Sequence, residues 1–284
     1  MDKPSGITSA RAVARVKRLL PNGTKIGHTG TLDPLASGLL VLLIGRATRL
    51  SRYVTGLNKT YTATASFGAV SDTLDAQGRI SVLKEALMPS EDALHAAVKR
   101  FTGTVRQTPP MASAVKMGGV RLYKAHRRGE NVERKSRIVT IHSLLLETLN
   151  PIEETATFTV TCSSGTYVRA LISDLAEFLG TGAYLTGLRR TSVGHLALEN
   201  ASALEHLSSH NIQNHIIQKE KVVAFLPSVN ISWRERALVC NGRRLVAFGI
   251  EGSYRVEVSG ELLAIYRDEE DLQRARAEVV LCAG

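Results

Sequence analysis

The chain has 284 residues, 44% of them hydrophobic, and carries 36 Lys and Arg against 26 Asp and Glu for a formal net charge of +10. That size and apolar share suit one large domain, or a domain with a small appendage, around a true core. A membrane span is excluded because no apolar run reaches roughly 18 residues, and the positive surplus favours a polyanionic partner, either nucleic acid or an anionic membrane surface.

The N-terminal stretch Met1–Val13 has no apolar centre of the kind a secretory signal needs, and Asp2, Pro4 and Gly6 interrupt any amphipathic transit helix. Thr8 or Ser9 can cap a helix whose apolar positions are Val13, Val16 and Leu20, ended by Pro21-Asn22-Gly23. The following Gly27-His28-Thr29-Gly30-Thr31-Leu32-Asp33-Pro34 is too rich in Gly and Pro for a regular element and leads into an apolar, strand-like run, Leu39–Ile44. Lys59–Phe67 alternates as a half-buried strand, with Tyr61, Ala63, Ala65 and Phe67 on one side. Ser90-Glu91-Asp92 caps a helix with Leu94, Ala97, Val98 and Phe101 on one face. Thr155–Thr161 alternates again, and after Ser163-Ser164-Gly165 the stretch Tyr167–Leu179 reads as a helix with Leu171, Leu175 and Phe178 inward.

From about Val222 short strand-like pieces follow at Ala237–Val239, Leu245–Phe248, Tyr254–Val258 and Leu262–Tyr266, separated by turn signals such as Asn241-Gly242. The mixture lacks a regular βαβ alternation, so the expected class is α+β with a mixed, largely antiparallel sheet flanked by helices, plus a small β-rich C-terminal module. Cys162, Cys240 and Cys282 are far apart, odd in number and without metal-ligand spacing. A reduced cytoplasmic protein with neither structural disulfide nor zinc is therefore expected.

Two segments carry chemistry. Between Ser113 and Arg137 stand Lys116, Arg121, Lys124, Arg127, Arg128, Arg134, Lys135 and Arg137 against only Glu130 and Glu133. A basic, Gly-punctuated insertion of this kind fits a clamp on a phosphate backbone. In Lys25–Leu40 a single acid, Asp33, is held extended by Pro34 and surrounded by glycines that permit close approach of a ligand.

The run Gly27-His28-Thr29-Gly30-Thr31-Leu32-Asp33-Pro34-Leu35-Ala36-Ser37-Gly38 closely resembles the catalytic motif of TruB-type tRNA pseudouridine synthases. Four further segments resemble family motifs in the family's order. They are Asp2-Lys3-Pro4-Ser5-Gly6-Ile7-Thr8-Ser9, Lys59-Thr60-Tyr61 with Ser71-Asp72-Thr73-Leu74-Asp75-Ala76-Gln77-Gly78, Gln107 to Lys116, and Ser164-Gly165-Thr166-Tyr167-Val168-Arg169 with Leu188-Arg189-Arg190. The resemblance implies a pseudouridine synthase fold over residues 1–221, with a thumb insertion at about 107–139, and a PUA-like RNA-binding module over 222–284.

It further implies isomerisation of the T-loop uridine (position 55 in standard tRNA numbering) without metal or organic cofactor. Asp33 attacks at uracil C6 or ribose C1′, Arg169 pairs with it and lowers its pKa, and Tyr61 stacks on the flipped uracil and helps remove the C5 proton. Tyr167 and Leu188 are implied as pocket walls, His28 as a contact to splayed bases from a loop tip, and Lys25, Lys116 and Arg121 as further RNA contacts. The partner implied is the T-stem-loop of tRNA, with no membrane and no obligatory protein partner. Asp72 and Asp75 lack EF-hand spacing and read as turn residues. Two other readings compete. Lys25-Ile26-Gly27-His28 partly resembles the HIGH motif of nucleotidyl transferases, but Thr29-Gly30 breaks the helix it should open. A non-catalytic RNA-binding protein accounts for the charge but not for Asp33, Tyr61 and Arg169 together.

Overall fold

The computed structural model describes residues 1–84, 86–113, 116–117, 120–121, 128, 130, 132–269 and 273–282. It falls into two compact units, each discontinuous in sequence: Met1–Ser9 with Leu32–Leu40 and Gly56–Ala201, and Ala10–Thr31 with Val41–Thr55 and Ser202–Gly284.

The first unit is built on an eight-stranded sheet. Its order is Asp2–Lys3, Ser37–Leu39, Ala183–Val193, Lys59–Phe67, Thr155–Cys162, Arg137–Asn150 and Gly103–Gln107, with Leu196–Ala197 added beside Ala183–Val193. Every pairing is antiparallel except that of Ser37–Leu39 with Ala183–Val193. The α+β class with a mixed, largely antiparallel sheet is thus observed.

The alternation read in Lys59–Phe67 is realised residue by residue: Lys59, Tyr61, Ala63, Ala65 and Phe67 are buried and the residues between them are not. Thr155–Cys162 alternates in the same way, with Ala156, Phe158, Val160 and Cys162 buried. The Ser90 hydroxyl caps the helix Glu91–Phe101 by accepting from the Ala93 N–H. That helix and the helix Val168–Phe178 pack on each other and on the sheet. Leu171 and Leu175 point inward as expected, but Phe178 is exposed, its ring meeting Phe101 edge-on at 5.9 Å. Because the second helix ends at Phe178, the ring lies at the rim of the helix pair rather than under it.

Leu39–Ile44 is not one strand. Ser37–Leu39 joins the large sheet, whereas Leu42–Ile44 pairs with Ile26–His28 in the second unit. The glycine-rich stretch expected to be irregular therefore begins in a strand, with His28 opposite Leu42, and His28 is not at a loop tip. Gly38 sits at φ +98° against the Arg190 strand, where an added Cβ would be driven into the Arg190 carbonyl. Only a glycine permits this approach.

In the second unit, five strands run in the order Ser228–Asn230, Ser253–Val258, Glu261–Glu269, Arg274–Val280, Leu245–Val246. They enclose a core of Val239, Tyr254, Val256, Leu263, Tyr266 and Ala275. Ala237–Val239, expected as a strand, lies in the helix Arg236–Cys240. Three residues are too few to separate the two periods, and the capping box of Ser232 and Glu235 just upstream opens a helical stretch. Cys240 and Cys282 form a disulfide, Cα atoms 5.6 Å apart, contrary to the expectation of reduced thiols. The 42-residue separation hides a contact between the end of the helix Arg236–Cys240 and the segment just past the strand Arg274–Val280. Cys162 remains free and buried. Among the described residues no helix is long and apolar enough to cross a membrane.

Gly38→Ala is expected to cost about 3 kcal/mol, from a left-handed backbone forced on a Cβ plus an overpacked strand contact. Urea denaturation measures it. Reduction of the Cys240–Cys282 bridge removes a constraint worth about 4 kcal/mol for a loop of this length. Thiol counting on the unreduced, unfolded protein should find Cys162 alone, and reductant should lower the melting temperature.

Candidate active site

The site lies wholly within the first unit. Asp33 stands on a turn closed by the Ala36 N–H donating to the Asp33 carbonyl at 3.1 Å. The opening segment of the chain clamps this turn from one side. Ser9 Oγ both accepts from the Leu32 N–H and donates to the Leu32 carbonyl at 2.8 Å. The Gly6 N–H donates to the Pro34 carbonyl at 2.8 Å, and Ser5 Oγ to the Leu35 carbonyl at 2.7 Å. Lys3, fully buried, donates from Nζ to the carbonyls of Pro4 and Ile7 at 2.8 and 2.7 Å and so shapes the clamp itself. Ser9 therefore does not act as a free helix cap; its hydroxyl is spent on the loop that carries the carboxylate.

Arg169 emerges from the first turn of the helix Val168–Phe178 with its side chain only 3% exposed. One terminal nitrogen is 2.9 Å from Asp33 Oδ2 and also donates to the Ala112 carbonyl at 2.9 Å. The other is 3.3 Å from Asp75 Oδ2 and donates to the Thr73 carbonyl at 2.5 Å. A surface position for Arg169 is thereby ruled out. The entry to this helix is fixed by Gln107, whose side-chain amide accepts from the Tyr167 N–H at 2.7 Å and donates to the Tyr167 carbonyl at 2.9 Å.

Asp75, read from sequence as a turn residue, is buried and shares Arg169 with Asp33. Its other oxygen accepts from Thr73 Oγ1 at 2.7 Å and from the Gln77 N–H at 3.0 Å. Asp72 does behave as a turn residue, accepting from the Arg79 N–H.

The Asp33 side chain keeps 34% of its surface open, enough for a substrate carbon to reach it. Burial pushes its carboxyl above the ordinary value; Arg169 pulls it down, Asp75 pushes it up and Lys3 pulls it down. The expected lowering by Arg169 is real as one contribution, but the sum is upward because burial is the largest and the guanidinium is shared with a second carboxylate.

Tyr61 is buried in the middle of its strand, opposite Arg190 on one side and Val160 on the other. Leu188 is half-buried opposite Ala63, two residues along the same face as Tyr61. The Tyr167 ring is half-buried under the Arg137 guanidinium at 4.8 Å. Arg137 also donates to the Gly165 carbonyl, and Arg134 donates to the Pro109 carbonyl at 3.2 Å, so two of the basic residues between Ser113 and Arg137 hold the protein to itself. Lys116 and Arg121 are backbone partners in a two-residue antiparallel pairing, and their side chains, like Lys124 and Arg127, lie outside the described residues. His28 and Lys25 belong to the second unit. His28 is half-buried with Nδ1 accepting from the Gly30 N–H at 3.4 Å, and Lys25 is exposed.

Three residues of this arrangement, Lys3, Gln107 and Arg190, escaped individual notice in the sequence, and Asp75 was read only as a turn residue. Each is a polar residue inside a motif, and the signal for Arg190 was its spacing of two from Leu188 along a strand, which puts both on one face.

A carboxyl whose folded pKa lies above its unfolded one adds stability below the unfolded value and loses it as pH rises through the folded value. Ionised Asp33 thus weakens the fold at neutral pH. Asp33→Asn is expected to melt above the unsubstituted protein at neutral pH, with the gap closing as pH falls towards about 4. Thermal denaturation across this range checks it, and a gap independent of pH would contradict the burial account.

Residues 17–168 match the N-terminal domain of TruB family pseudouridylate synthases, and residues 169–230 match the C-terminal domain of tRNA pseudouridylate synthase B. The chain is 42% identical over 272 residues to tRNA pseudouridine synthase B of Cupriavidus metallidurans, covering 95% of this chain and 86% of that protein. It is 39% identical over 268 residues to tRNA pseudouridine synthase B of Aquifex aeolicus, covering 93% of each. Among solved structures, a chain from the crystal structure of a Cbf5–Nop10–Gar1 complex superimposes with a TM-score of 0.72 at 25% identity, covering 100% of this chain and 82% of that one. With a carboxylate–guanidinium pair on a clamped loop, and relatives matched over nearly their whole length, the chain belongs to the TruB family of pseudouridylate synthases.

Proposed function

We propose that this protein is a tRNA pseudouridine synthase, an isomerase that converts the T-loop uridine at tRNA position 55 to pseudouridine. The observation that carries the reading is the Asp33 carboxylate, open to a substrate on one side and pinned 2.9 Å from the buried Arg169 on the other. By role, residues 1–221 serve as the catalytic domain, with the thumb at about 107–139, and 222–284 as a PUA-like RNA-binding module.

Asp33 is the nucleophile and attacks uracil C6 or ribose C1′. The N1–C1′ bond breaks, the uracil turns in place, and C5 bonds to C1′. Arg169 holds the carboxylate in line and stabilises its ionised form. Tyr61 takes the C5 proton and lies against the extruded base, with Leu188 and Tyr167 walling the pocket. Extrusion costs a few kcal/mol, roughly, and is cheapest in a loop whose bases are already splayed. Lys25, His28, Lys116 and Arg121 contact the RNA, and the enzyme works in the cytoplasm on the T-stem-loop without metal, organic cofactor or obligatory protein partner.

The test is tritium release from an unmodified tRNA transcript labelled at uracil C5, with purified protein alone. Release from the position-55 uridine is expected, lost in Asp33→Asn while RNA binding persists. A folded protein that binds tRNA but releases no tritium would leave an RNA-binding role in its place. Release from other uridines only would overturn the T-loop assignment.

A further inference from the structure

Arg190 is one of the largest fully buried side chains, 2% exposed, and no step above uses it. It stands directly across the sheet from Tyr61 as its register partner, so the two side chains leave the same face. Its Nε donates to the Leu39 carbonyl at 2.7 Å, and its guanidinium donates to the Tyr61 hydroxyl. Leu39 lies on the short strand that follows the Asp33 turn. A guanidinium is planar, so fixing one nitrogen on Leu39 sets the direction in which the others are offered.

The surroundings make this cation costly to keep. Lys59 is held down to about 8 by burial and then by the charge of Arg190. Lys3 is likewise pushed down to about 8 by burial, with Asp33 pulling it up and Arg190 adding to the fall. A third cation among two buried lysines is unfavourable unless some group gains from it. The phenol oxygen of Tyr61 is that group. Burial raises the Tyr61 hydroxyl above its ordinary value, Arg190 pulls it down, and Cys162 and Asp33 push it up.

We propose that Arg190 is a positioning residue for proton removal from uracil C5, fixing the Tyr61 oxygen and stabilising the negative charge it carries as the base. This rests on the role given to Tyr61 above. The Tyr61 phenol first gives its proton to solvent, with Arg190 facing the charge that forms; once C5 has bonded to C1′, the C5–H bond breaks and the proton passes to the tyrosinate oxygen, which restores the phenol. The C–H electron pair re-forms the C5=C6 double bond, and N1, freed from C1′, takes a proton from water.

The experiment measures pseudouridine formation on tRNA transcripts carrying protium or deuterium at uracil C5. It uses Arg190→Met and Arg190→Lys, each alone and combined with Tyr61→Phe. Arg190→Met is expected to lower kcat about 10²-fold with KM for tRNA unchanged. The deuterium effect on kcat should grow as proton removal becomes the slow step, and Arg190→Lys should recover part of the rate. In the Tyr61→Phe background, Arg190→Met should bring no further loss. Equal losses in both backgrounds, or a loss without growth of the isotope effect, would overturn the proposal. If the methionine variant does not fold, the lysine variant carries the same comparison. Full activity of Tyr61→Phe alone would remove Tyr61 as the proton acceptor, and the proposal with it, a failure separate from that of Arg190.

Discussion

A guanidinium almost wholly out of water must find its partners within the protein, and Arg169, itself on a helix, finds them in three other segments. Asp33 comes from the clamped turn, Asp75 and the Thr73 carbonyl from the turn after the Phe67 strand, and the Ala112 carbonyl from the stretch after the Gly103–Gln107 strand. If the cation moves, all of these move with it. The ion pair is thus a node that fixes where the carboxylate stands as well as whether it is ionised. Burial is the chief reason Asp33 sits above its ordinary pKa despite touching an arginine, and the nearby Asp75 carboxylate, which shares that arginine, adds to the rise.

Around that node the sheet supplies rigidity. Tyr61 and Arg190 oppose each other on neighbouring strands at its centre, and Gly38 brings the strand after Asp33 hard against the Arg190 backbone. The opening segment Asp2–Ser9, which carries no reacting group, works as a clamp: its backbone and hydroxyls hold Leu32, Pro34 and Leu35. Distance along the chain from residue 3 to residue 190 is thereby reduced to a single cluster in one compact unit.

What could be read in the sequence follows from which interactions are local. The Lys59–Phe67 alternation and the Ser90 cap depend on neighbours a few residues away, and both appear as expected. The split of Leu39–Ile44 depends on two different partner strands, a matter periodicity cannot address, because a buried run reads as continuous whichever sheet takes it. Asp75 resembles any turn aspartate until Arg169, far along the chain, is brought to it. The Cys240–Cys282 bridge is equally non-local. Resemblance to a family supplied Asp33, Tyr61 and Arg169 by position. It did not supply the sign of the Asp33 shift, which is a sum over burial and three charges.

That sign bears on how the enzyme meets its substrate. An approaching RNA brings phosphates, and each adds negative potential near a carboxylate that is already costly to ionise. The chain's +10 charge opposes this, yet not all of it is free to do so. Arg134 and Arg137 are committed to protein carbonyls and to the Tyr167 ring, and Arg128 to Glu130. The cations that face Asp33 and Tyr61, which are Arg169, Lys3 and Arg190, are buried and cannot be taken up by phosphate oxygens at the surface. Being beyond the reach of counterions, they are screened less by salt than surface charges are. The attraction that docks the RNA can therefore weaken with ionic strength while the field at Asp33 and Tyr61 holds, so that, with the roles proposed for these two residues, binding and chemistry answer to separate sets of charges in one fold.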